Sequence, residues 1–172
     1  MNSKQLRKTK PTIENLGDIK RNPIYFVLDN VLDTYNIGSM FRLADAVAAE
    51  KIYICGKSEY PPNSRIHKSA VGTEEWVPWT AVSSASQAVR ELKLRGVQII
   101  AVEQDKRAIS YKSLAISYWP VAIVIGHETD GISHEVLDLS DVIVELPMFG
   151  VNKSFNVWGS AAIVTYKILE SL

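Results

Sequence analysis

Three short polar segments of this 172-residue sequence combine residue types that could do chemistry. In the first segment, Asn36 precedes Arg42 by six residues, and Arg42 stands between the apolar residues Phe41 and Leu43. A charged side chain among apolar neighbours usually has a partner or a functional task. The same pair is also compatible with a helix cap followed by a surface cation.

The second segment, Gly126-His-Glu-Thr-Asp-Gly-Ile-Ser133, follows a run of apolar residues. Its two glycines, Gly126 and Gly131, predict a tight turn beneath a ligand. Glu128 could accept a hydrogen bond or neutralise a cation, and it could also be a solvated loop acid. The segment has neither the G-x-G-x-x-G pattern nor the P-loop lysine, so neither nucleotide-binding fingerprint applies.

The third segment runs from Leu146 to Asn156 and contains Pro147 and Gly150. We expect Ser154 and Asn156 to lie at the N-terminus of a helix, where free backbone N–H groups suit a ligand rich in acceptor oxygens. A capping role would by itself explain Ser154.

The composition limits the classes of protein to which the chain can belong. Apolar residues make up 47%, enough to bury a core, and 19 basic residues balance 19 acidic ones. This argues against a disordered chain, and the whole-chain basic excess typical of nucleic-acid binding is absent. One cysteine and three histidines without zinc-like spacing predict neither a disulfide nor a metal site. The sequence shows no membrane span and no signal peptide, so we expect a soluble, cytoplasmic protein.

The zero net charge hides an asymmetry between the two parts of the chain. Residues 1–22 carry six basic groups, among them Arg7 and Lys8, against two acidic groups, which gives this arm a charge of +4. The arm could contact phosphates, and it could equally be a solvated tail. We therefore divide the chain into a basic N-terminal arm, residues 1–22, and a single domain, residues 23–172.

Stretches typical of strands and of helices alternate along the sequence. Buried-type apolar runs predict strands, and amphipathic or alanine-rich stretches predict helices. The predicted strands are Ile24–Leu28, Lys51–Cys55, Val97–Val102, Val121–Ile125 and Val142–Leu146. The predicted helices are Ile37–Ala49 with Asn36 as N-cap, Ser84–Arg95, Ser133–Leu139 with Ser133 as cap, and Ser154–Leu172. The segment Glu59–Glu75 is predicted to be a long irregular loop because it contains two prolines and a glycine.

Strands that are apolar on both faces and alternate with helices predict an α/β fold, a parallel sheet with helices on both faces. In such sheets ligands bind at the carboxyl ends of the strands. The loops at that edge would be Asp29–Gly38, Gly56–Gly72, Val102–Ala108, Gly126–Ser133 and Leu146–Ser154. The last predicted helix is apolar on nearly every side, so we expect a second copy of the chain to cover the face that the sheet leaves open.

Taken together, the three polar segments resemble the sequence motifs of the SpoU/TrmH-type RNA ribose 2′-O-methyltransferases of the SPOUT superfamily. The residues that carry the resemblance are Asn36, Gly38 and Arg42, then Gly126-His-Glu-Thr-Asp-Gly131, then Leu146-Pro-Met148 and Ser154-Phe-Asn156. The resemblance covers roughly residues 23–172. It implies an α/β sheet whose C-terminal part forms a deep trefoil knot, and a homodimer, for which we expect the C-terminal knot helix to form the contact.

The resemblance also implies that S-adenosylmethionine binds where three loops meet. The residues that would form this site are Val102, Glu103, Ile125, Gly126, Leu146, Met148 and Ser154. Main-chain groups of the loops would hydrogen-bond an adenine edge, while Leu146 and Met148 would pack against its faces. No metal ion is expected.

The reaction implied by the resemblance moves the cofactor methyl group to a ribose 2′-hydroxyl of tRNA or rRNA. The family's catalytic arginine corresponds to Arg42, and its partners correspond to Asn36, Glu128, Ser154 and Asn156. Because an arginine rarely loses its proton, we expect Arg42 to orient the target group and stabilise negative charge there. Asn36 and Glu128 would hold its geometry. The choice between tRNA and rRNA stays open.

The family often has Asn or Pro where this sequence has His127, and we expect catalysis to survive that change.

We expect no separate RNA-binding domain, so RNA would contact the dimer surface, the basic arm, and the segment with Arg65, His67 and Lys68. Trp76 and Trp79 follow that segment in the sequence. Their rings could stack on bases or pack near the sheet edge.

Two other functions stay possible at this point. One is a non-catalytic RNA-binding or ribosome-assembly factor with the same fold, which the retained Arg42, Glu128, Ser154 and Asn156 disfavour. The other is a nucleotide-dependent enzyme of the ordinary doubly wound type, which the missing phosphate-loop glycines disfavour.

Overall fold

Strands and helices alternate through most of residues 11–172, the part of the chain that the computed structural model describes. The strands are β1 (Asn22–Asp29), β2 (Ala49–Cys55), β3 (Trp79–Val82), β4 (Gln98–Val102), β5 (Ile109–Ser110), β6 (Val121–Gly126) and β7 (Val142–Glu145). The α-helices are α1 (Ile13–Gly17), α2 (Thr34–Ala46), α3 (Ser64–Ala70), α4 (Ala85–Leu94), α5 (His134–Leu139) and α6 (Val157–Leu169). Short 3₁₀ turns at Thr73–Glu75 and Tyr111–Ser113 join neighbouring elements.

One parallel sheet contains the seven strands of this part of the chain, in the order β3-β2-β1-β6-β4-β7-β5. The predicted parallel α/β class is therefore confirmed. Because the strands run in the same direction, their carboxyl ends lie along one edge of the sheet. At that edge Asp29, the last residue of β1, pairs with Cys55 of β2 on one side and with Gly126 of β6 on the other. The loops that follow these three strands therefore start side by side.

Helices cover both faces of the sheet because its central strands are apolar on both faces. Along β1, Ile24, Phe26 and Leu28 point into one core, and Tyr25 and Val27 point into the other. Helices α2, α3 and α6 cover the first face, and α4 and α5 cover the second. Burial on both faces is the arrangement that an unbroken apolar run predicts for a strand.

Helix α2 begins earlier than the sequence predicts. Asp33, not Asn36, is its N-cap, and the Asp33 side chain accepts a hydrogen bond from the backbone N–H of Tyr35 at 2.9 Å. The predicted range Ile37–Ala49 is therefore wrong by three residues at each end. Ala48 has a left-handed backbone, with a φ of 47°, and this conformation separates the helix from β2. Asn36 lies inside the first turn of the helix, where its side chain is available for another bond.

The segment Glu59–Glu75 is not the irregular loop that its composition predicts. Its middle forms α3, whose N-cap Asn63 accepts hydrogen bonds from the backbone N–H groups of Arg65 and Ile66 at 2.9 and 3.1 Å. The helix has seven residues and ends at Val71, which has a φ of 57°. Prolines before a short helix and a glycine after it also mark the ends of a helix, so composition alone could not separate the two cases.

The edge strands and the last helix also differ from the prediction. Strands β3 and β5 were missed because edge strands of four and two residues carry no two-sided apolar run. Helix α6 starts at Val157, because Asn156 is its N-cap and accepts hydrogen bonds from Trp158 and Gly159 backbone N–H groups. Ser154 therefore lies outside the helix and does not cap it, so the predicted start of this helix is wrong.

Strand β6 enters the sheet between β1 and β4, both of which precede it in the sequence. A late strand between two earlier ones is compatible with the knotted path that the resemblance implies, and the knot itself stays a prediction. Among the helices of residues 11–172, none has the length and apolar character needed to cross a membrane.

Candidate active site

A cavity of about 390 Å³ opens at the carboxyl edge of the sheet, among the loops that follow β4, β6 and β7. Cavities of this size take small-molecule ligands. Six of the residues predicted for the cofactor line it: Val102, Glu103, Gly126, Leu146, Met148 and Ser154. Ile125 does not line it, because its side chain points into the hydrophobic core and is only 1% exposed.

Glu128 joins the loop after β6 to the start of helix α2. Its Oε1 accepts hydrogen bonds from the backbone N–H of Asp33 at 3.0 Å and from the side-chain amide of Asn36 at 2.9 Å. Its Oε2 accepts a hydrogen bond from the backbone N–H of Leu32 at 3.1 Å. Both carboxylate oxygens are therefore used to hold α2 in place, so Glu128 is poorly placed to act as a general base.

The charge of Glu128 follows from these contacts. Burial raises the pKa of its carboxyl group, but the hydrogen bonds from Asn36 and from backbone N–H groups outweigh that effect. The pKa of Glu128 consequently lies below its ordinary value, and the side chain is ionised at neutral pH. Its negative charge lies beside the N-terminus of α2, where the helix dipole stabilises it.

Asn36 links the first polar segment to the third. Its Oδ1 accepts a hydrogen bond from Asn156 Nδ2 at 3.1 Å, while its own Nδ2 donates to Glu128. Asn36 is 2% exposed, and a buried amide needs partners for both its oxygen and its nitrogen. The hydrogen-bond chain Glu128–Asn36–Asn156 thus brings together residues from all three polar segments.

The turn from Gly126 to Gly131 forms part of the cavity wall. A Cβ atom at Gly126 would lie 2.3 Å from the backbone of Gly131 and Ile132, so only glycine fits there. The backbones of His127 and Gly131 exchange two hydrogen bonds, at 3.1 and 3.0 Å, which close the turn. The tight turn predicted from the two glycines is therefore confirmed.

His127 stabilises this turn from within. Its Nδ1 accepts hydrogen bonds from the backbone N–H groups of Thr129 and Asp130, at 3.0 and 3.1 Å. An asparagine oxygen makes the same contacts in an Asx turn. The Asp130 carboxylate lies 3.7 Å from the same ring nitrogen. His127 therefore fills the structural role that asparagine can fill at this position.

Glu103 and Gln104 connect the end of β4 to two loops of the cavity. Glu103 Oε2 accepts a hydrogen bond from the backbone N–H of Ile132 at 2.9 Å, and its Oε1 accepts one from Gln104 at 2.8 Å. The side-chain amide of Gln104 donates to the backbone carbonyl oxygen of Lys153 at 2.5 Å. The Glu103 carboxylate thus positions the loop after β6, and its contact with a cofactor stays a prediction.

Asp29 holds the far end of the turn. Asp29 is 2% exposed, and its Oδ2 accepts hydrogen bonds from both the backbone N–H and the hydroxyl of Ser133, at 2.9 and 2.7 Å. Ser133 stands at the N-cap position of α5, as predicted, but its hydroxyl makes no capping bond and donates instead to Asp29. Burial, with the nearby charge of Asp29, raises the pKa of the Cys55 thiol to about 12, so Cys55 is an unreactive core residue.

Arg42 lies apart from the cavity of its own chain. It is exposed on α2, between the buried side chains of Phe41 and Leu43, and it does not line the cavity. Its guanidinium has no hydrogen bond or ion pair within residues 11–172. Arg42 is therefore free to contact an anion from outside the chain, and its catalytic role stays a prediction.

The residues predicted to bind RNA fall into two groups. Arg7 and Lys8 lie outside the described residues. Arg65 and Lys68 are exposed on α3, and neither has an ion pair in the part of the chain that the structure describes. His67, which belongs to the same helix, is held by Glu74, whose Oε1 lies 2.5 Å from His67 Nδ1.

Trp76 and Trp79 both belong to the scaffold. Trp76 Nε1 donates a hydrogen bond to the Asp45 carboxylate at 2.6 Å. Trp79 begins the edge strand β3, and its ring meets the Phe41 ring edge-on at a centroid distance of 6.4 Å. The prediction that these rings pack near the sheet edge is therefore confirmed for Trp79.

Sequence reasoning missed several residues of the cavity wall. Gln104 and Lys153 line the cavity but belong to no recognisable motif, and Phe155, which stands inside the third motif, was given no role of its own. Gln104 and Lys153 could have been found from position alone, since one follows the end of β4 and the other precedes Ser154.

The fold and the site define a known class of protein. The model of the SpoU rRNA Methylase family matches residues 23–166, and the chain belongs to this family. The resemblance carried by the three polar segments is therefore confirmed.

The chain is similar to particular members of this class. It is 31% identical over 161 residues to 23S rRNA (guanosine-2′-O-)-methyltransferase RlmB of Ralstonia nicotianae, covering 91% of this chain and 62% of that protein. It is 27% identical over 164 residues to tRNA (guanosine(18)-2′-O)-methyltransferase of Borreliella burgdorferi, covering 95% and 73%. The chain thus spans less than two thirds of the length of the RlmB relative.

A solved structure supports the fold. The AdoMet-bound rRNA methyltransferase from Sinorhizobium meliloti superposes with a TM-score of 0.82 at 23% sequence identity. The match covers 90% of this chain and 58% of that one, and at this identity it shows that the two share a fold.

Proposed function

We propose that this protein is an S-adenosylmethionine-dependent methyltransferase that modifies ribose 2′-hydroxyls of RNA. Membership of the SpoU rRNA Methylase family supports this, as do the names of the two relatives, both guanosine 2′-O-methyltransferases. The observation that carries the proposal is the hydrogen-bond chain Glu128–Asn36–Asn156, because it joins the three polar segments beside one cavity. A non-catalytic RNA-binding factor would be expected to lose part of this chain.

The cavity fits the chemistry of S-adenosylmethionine. Val102, Leu146 and Met148 give it apolar walls, and the turn from Gly126 to Gly131 adds backbone groups that can hydrogen-bond an adenine and a ribose. When bound, the cofactor supplies the methyl group. The S. meliloti neighbour is named as AdoMet-bound, which supports the same cofactor here.

The chain's own residues would prepare the ribose hydroxyl. A sugar hydroxyl is a poor nucleophile, so the negative charge that develops on its oxygen needs stabilisation. We assign this task to Arg42, while Asn36 and Glu128 keep α2 in position. The Ser154 side chain lines the cavity and can bond the substrate. The reacting hydroxyl has to lie beside the cofactor's methyl group, and Arg42 does not line the cavity of its own chain. Arg42 would therefore act on a hydroxyl held at the mouth of that cavity or at the cavity of a second copy.

The distribution of ion pairs supports an RNA substrate. Arg42, Lys57, Arg65 and Lys68 lie on α2, on α3 and in the loop before α3, and none is ion-paired within residues 11–172. Lys153, which lines the cavity, also has no ion pair in that part of the chain. Cations that no carboxylate pairs with are available to a phosphate backbone. The relatives act on both tRNA and rRNA by name, so the assay below tests both.

We also propose a homodimer in which α6 meets a second copy. Ile163 and Tyr166 of α6 are 40% and 55% exposed, and Phe155 just before the helix is 52% exposed. A partner would remove this apolar surface from water. Light scattering is expected to give about twice the chain mass of 19.2 kDa, and a mass equal to one chain would contradict the proposal.

The proposed function also assigns roles to the domain and to the basic arm. Residues 23–172 would form the catalytic domain, and the basic arm, residues 1–22, would add phosphate contacts through Arg7 and Lys8. An RNA-modifying role supports a cytoplasmic location. Deletion of residues 1–10, which include Arg7 and Lys8 and leave β1 intact, is expected to weaken RNA binding and its dependence on salt, while affinity for S-adenosylhomocysteine stays unchanged.

The decisive experiment measures transfer of labelled methyl from S-adenosylmethionine to bulk tRNA and, separately, to rRNA, with nucleoside analysis of the product. Wild type is expected to form a 2′-O-methylnucleoside in one of the two. Arg42→Ala is expected to lose activity by about 100-fold or more while binding S-adenosylhomocysteine normally. Full activity of Arg42→Ala would overturn the assignment of Arg42, and binding of RNA without methyl transfer by wild type would favour a non-catalytic factor.

A further inference from the structure

Tyr60 presents an exposed aromatic ring beside helix α3. It lies in the loop between β2 and α3 and is 52% exposed. Its ring centroid lies 5.9 Å from that of Trp79, with 34° between the ring planes. Trp79 in turn packs against Phe41, which is fully buried. The exposed ring is therefore supported from behind by two rings that belong to the scaffold.

The charges near this ring favour a polyanion. Lys57 precedes Tyr60 in the same loop, and Arg65 and Lys68 follow it on α3, all without an ion pair in the described part of the chain. The acidic neighbour Glu59, which accepts a hydrogen bond from the Asn63 side chain, is outnumbered by these three cations. An aromatic ring with unpaired cations on either side of it in the sequence matches the usual composition of a surface that binds single-stranded nucleic acid.

The position of the ring relates it to the candidate active site. Tyr60 contacts β3, and three strand spacings, about 14 Å, separate β3 from β6, whose loop forms the cavity wall. The hydroxyl of Tyr60 makes no hydrogen bond within residues 11–172, so the fold does not depend on it. A base on this ring would therefore belong to a nucleotide that flanks the one presented to the cofactor in the cavity.

We infer that Tyr60 is a stacking platform for an unpaired nucleobase of the RNA substrate, flanking the nucleotide that is methylated. The inference rests on the proposed function. Only a base outside a duplex exposes a face for stacking, so the substrate would be a loop or a single strand at this position. Stacking of this kind tolerates any base, so the platform sets affinity and geometry rather than sequence.

The experiment compares wild type with Tyr60→Ala, Tyr60→Phe and the control Tyr118→Ala, which removes a ring that is 48% exposed elsewhere on the surface. Methyl transfer to the RNA that wild type modifies gives KM and kcat, and calorimetry gives the affinity for S-adenosylhomocysteine. Tyr60→Ala is expected to raise KM for RNA roughly 5- to 100-fold, with kcat and S-adenosylhomocysteine affinity unchanged. Tyr60→Phe, which keeps the ring, and Tyr118→Ala are expected to resemble wild type.

The outcomes separate the two proposals. If wild type methylates RNA and Tyr60→Ala does so with a KM within twofold of wild type, the platform is disproved and the proposed function stands. If Tyr60→Ala lowers kcat and cofactor affinity as well, Tyr60 is a structural residue and the platform is again disproved. If wild type neither binds nor methylates any RNA, the proposed function fails, and the platform fails with it. A variant Tyr60→Leu, which keeps apolar cover over Trp79, replaces Tyr60→Ala if the alanine variant has a lowered melting temperature.

Discussion

At the residue scale, the role of a side chain depends on which atoms it offers rather than on its chemical class. His127 accepts two backbone hydrogen bonds through one ring nitrogen, as an asparagine oxygen would. We predict that His127→Asn keeps affinity for S-adenosylhomocysteine within about twofold, because the acceptor is retained. His127→Ala removes the acceptor, and the loss of about 1 kcal/mol of hydrogen bonding in the turn is expected to weaken that affinity about fivefold.

Calorimetric titration with S-adenosylhomocysteine checks both variants. Equal affinities for His127→Asn and His127→Ala would show that the ring packs against the turn without holding it. The melting temperature of each variant serves as a control, and for His127→Ala it is expected to fall by only a few degrees, which leaves the protein folded in the titration.

The sequence predicts which single residues belong to the site better than it predicts the role of each one. The motif residues Asn36, Glu128 and Asn156 are correctly grouped from sequence, and they do meet. Their individual roles were not predictable, because a capping residue and a buried linking residue have the same polar side chain. Ser154 illustrates the same limit: its type suits a cap, but Asn156, two residues later, takes that position.

At the element scale, the packing of α2 against α3 depends on Gly38. A Cβ atom at Gly38 would lie 1.9 Å from Ser69 Oγ, 2.7 Å from the Ala70 nitrogen and 2.8 Å from the Ile66 oxygen. Replacing glycine by alanine inside a helix normally stabilises it by about 0.5–1 kcal/mol. Here the neighbours include backbone atoms of α3, which cannot move aside as a side chain can. The steric effect should therefore exceed the gain in helix propensity.

We predict that Gly38→Ala lowers the free energy of unfolding by about 2 kcal/mol. Denaturant unfolding followed by circular dichroism measures the change. Gly17→Ala is the matched control, because no atom lies within 4 Å of the added Cβ and the change should stay within about 0.5 kcal/mol. A Gly38→Ala protein as stable as wild type would mean that α3 can shift away from α2.

Elements also differ in how well sequence predicts them. The central strands β1 and β6 were found because both of their faces are buried, which leaves an unbroken apolar run. Helix α3 was missed because its seven residues are mostly exposed and polar, so no periodic apolar pattern marks them. The C-terminal end of α2 differs because the left-handed Ala48, a local backbone state, cannot be read from composition. Its N-terminal end differs because Asp33 caps it in place of Asn36.

At the scale of the whole molecule, the parallel sheet explains why motif residues scattered along the sequence form one site. Strands that share a direction place their following loops at one edge, so Glu103, Gly126 and Leu146 come together without being neighbours in sequence. The fold class and the edge that holds the site were therefore predictable. The group that Arg42 contacts was not predictable, because that group comes from outside the single chain.

The stability of the whole molecule should depend on pH through Glu128. The pKa of Glu128 in the folded protein lies below its ordinary value of 4.5, so the unfolded chain binds the proton more tightly. The resulting stabilisation is fully present above that ordinary value and is lost as the pH falls through the lower pKa of the folded state. Hydrogen bonds to an ionised group contribute about 2 kcal/mol, which sets the size of the effect.

We predict that Glu128→Gln lowers the free energy of unfolding by about 2 kcal/mol at pH 7, and that the difference from wild type shrinks as the pH falls below 4.5. The carboxylates of Asp105 and Glu135 also have lowered pKa values, through hydrogen bonds with Arg107 and Arg90, but both acids are present in both proteins. The difference between wild type and variant therefore isolates Glu128. Denaturant titrations between pH 7 and pH 3 measure it, and a difference that stays constant with pH would show that the charge of Glu128 does not hold α2 in place.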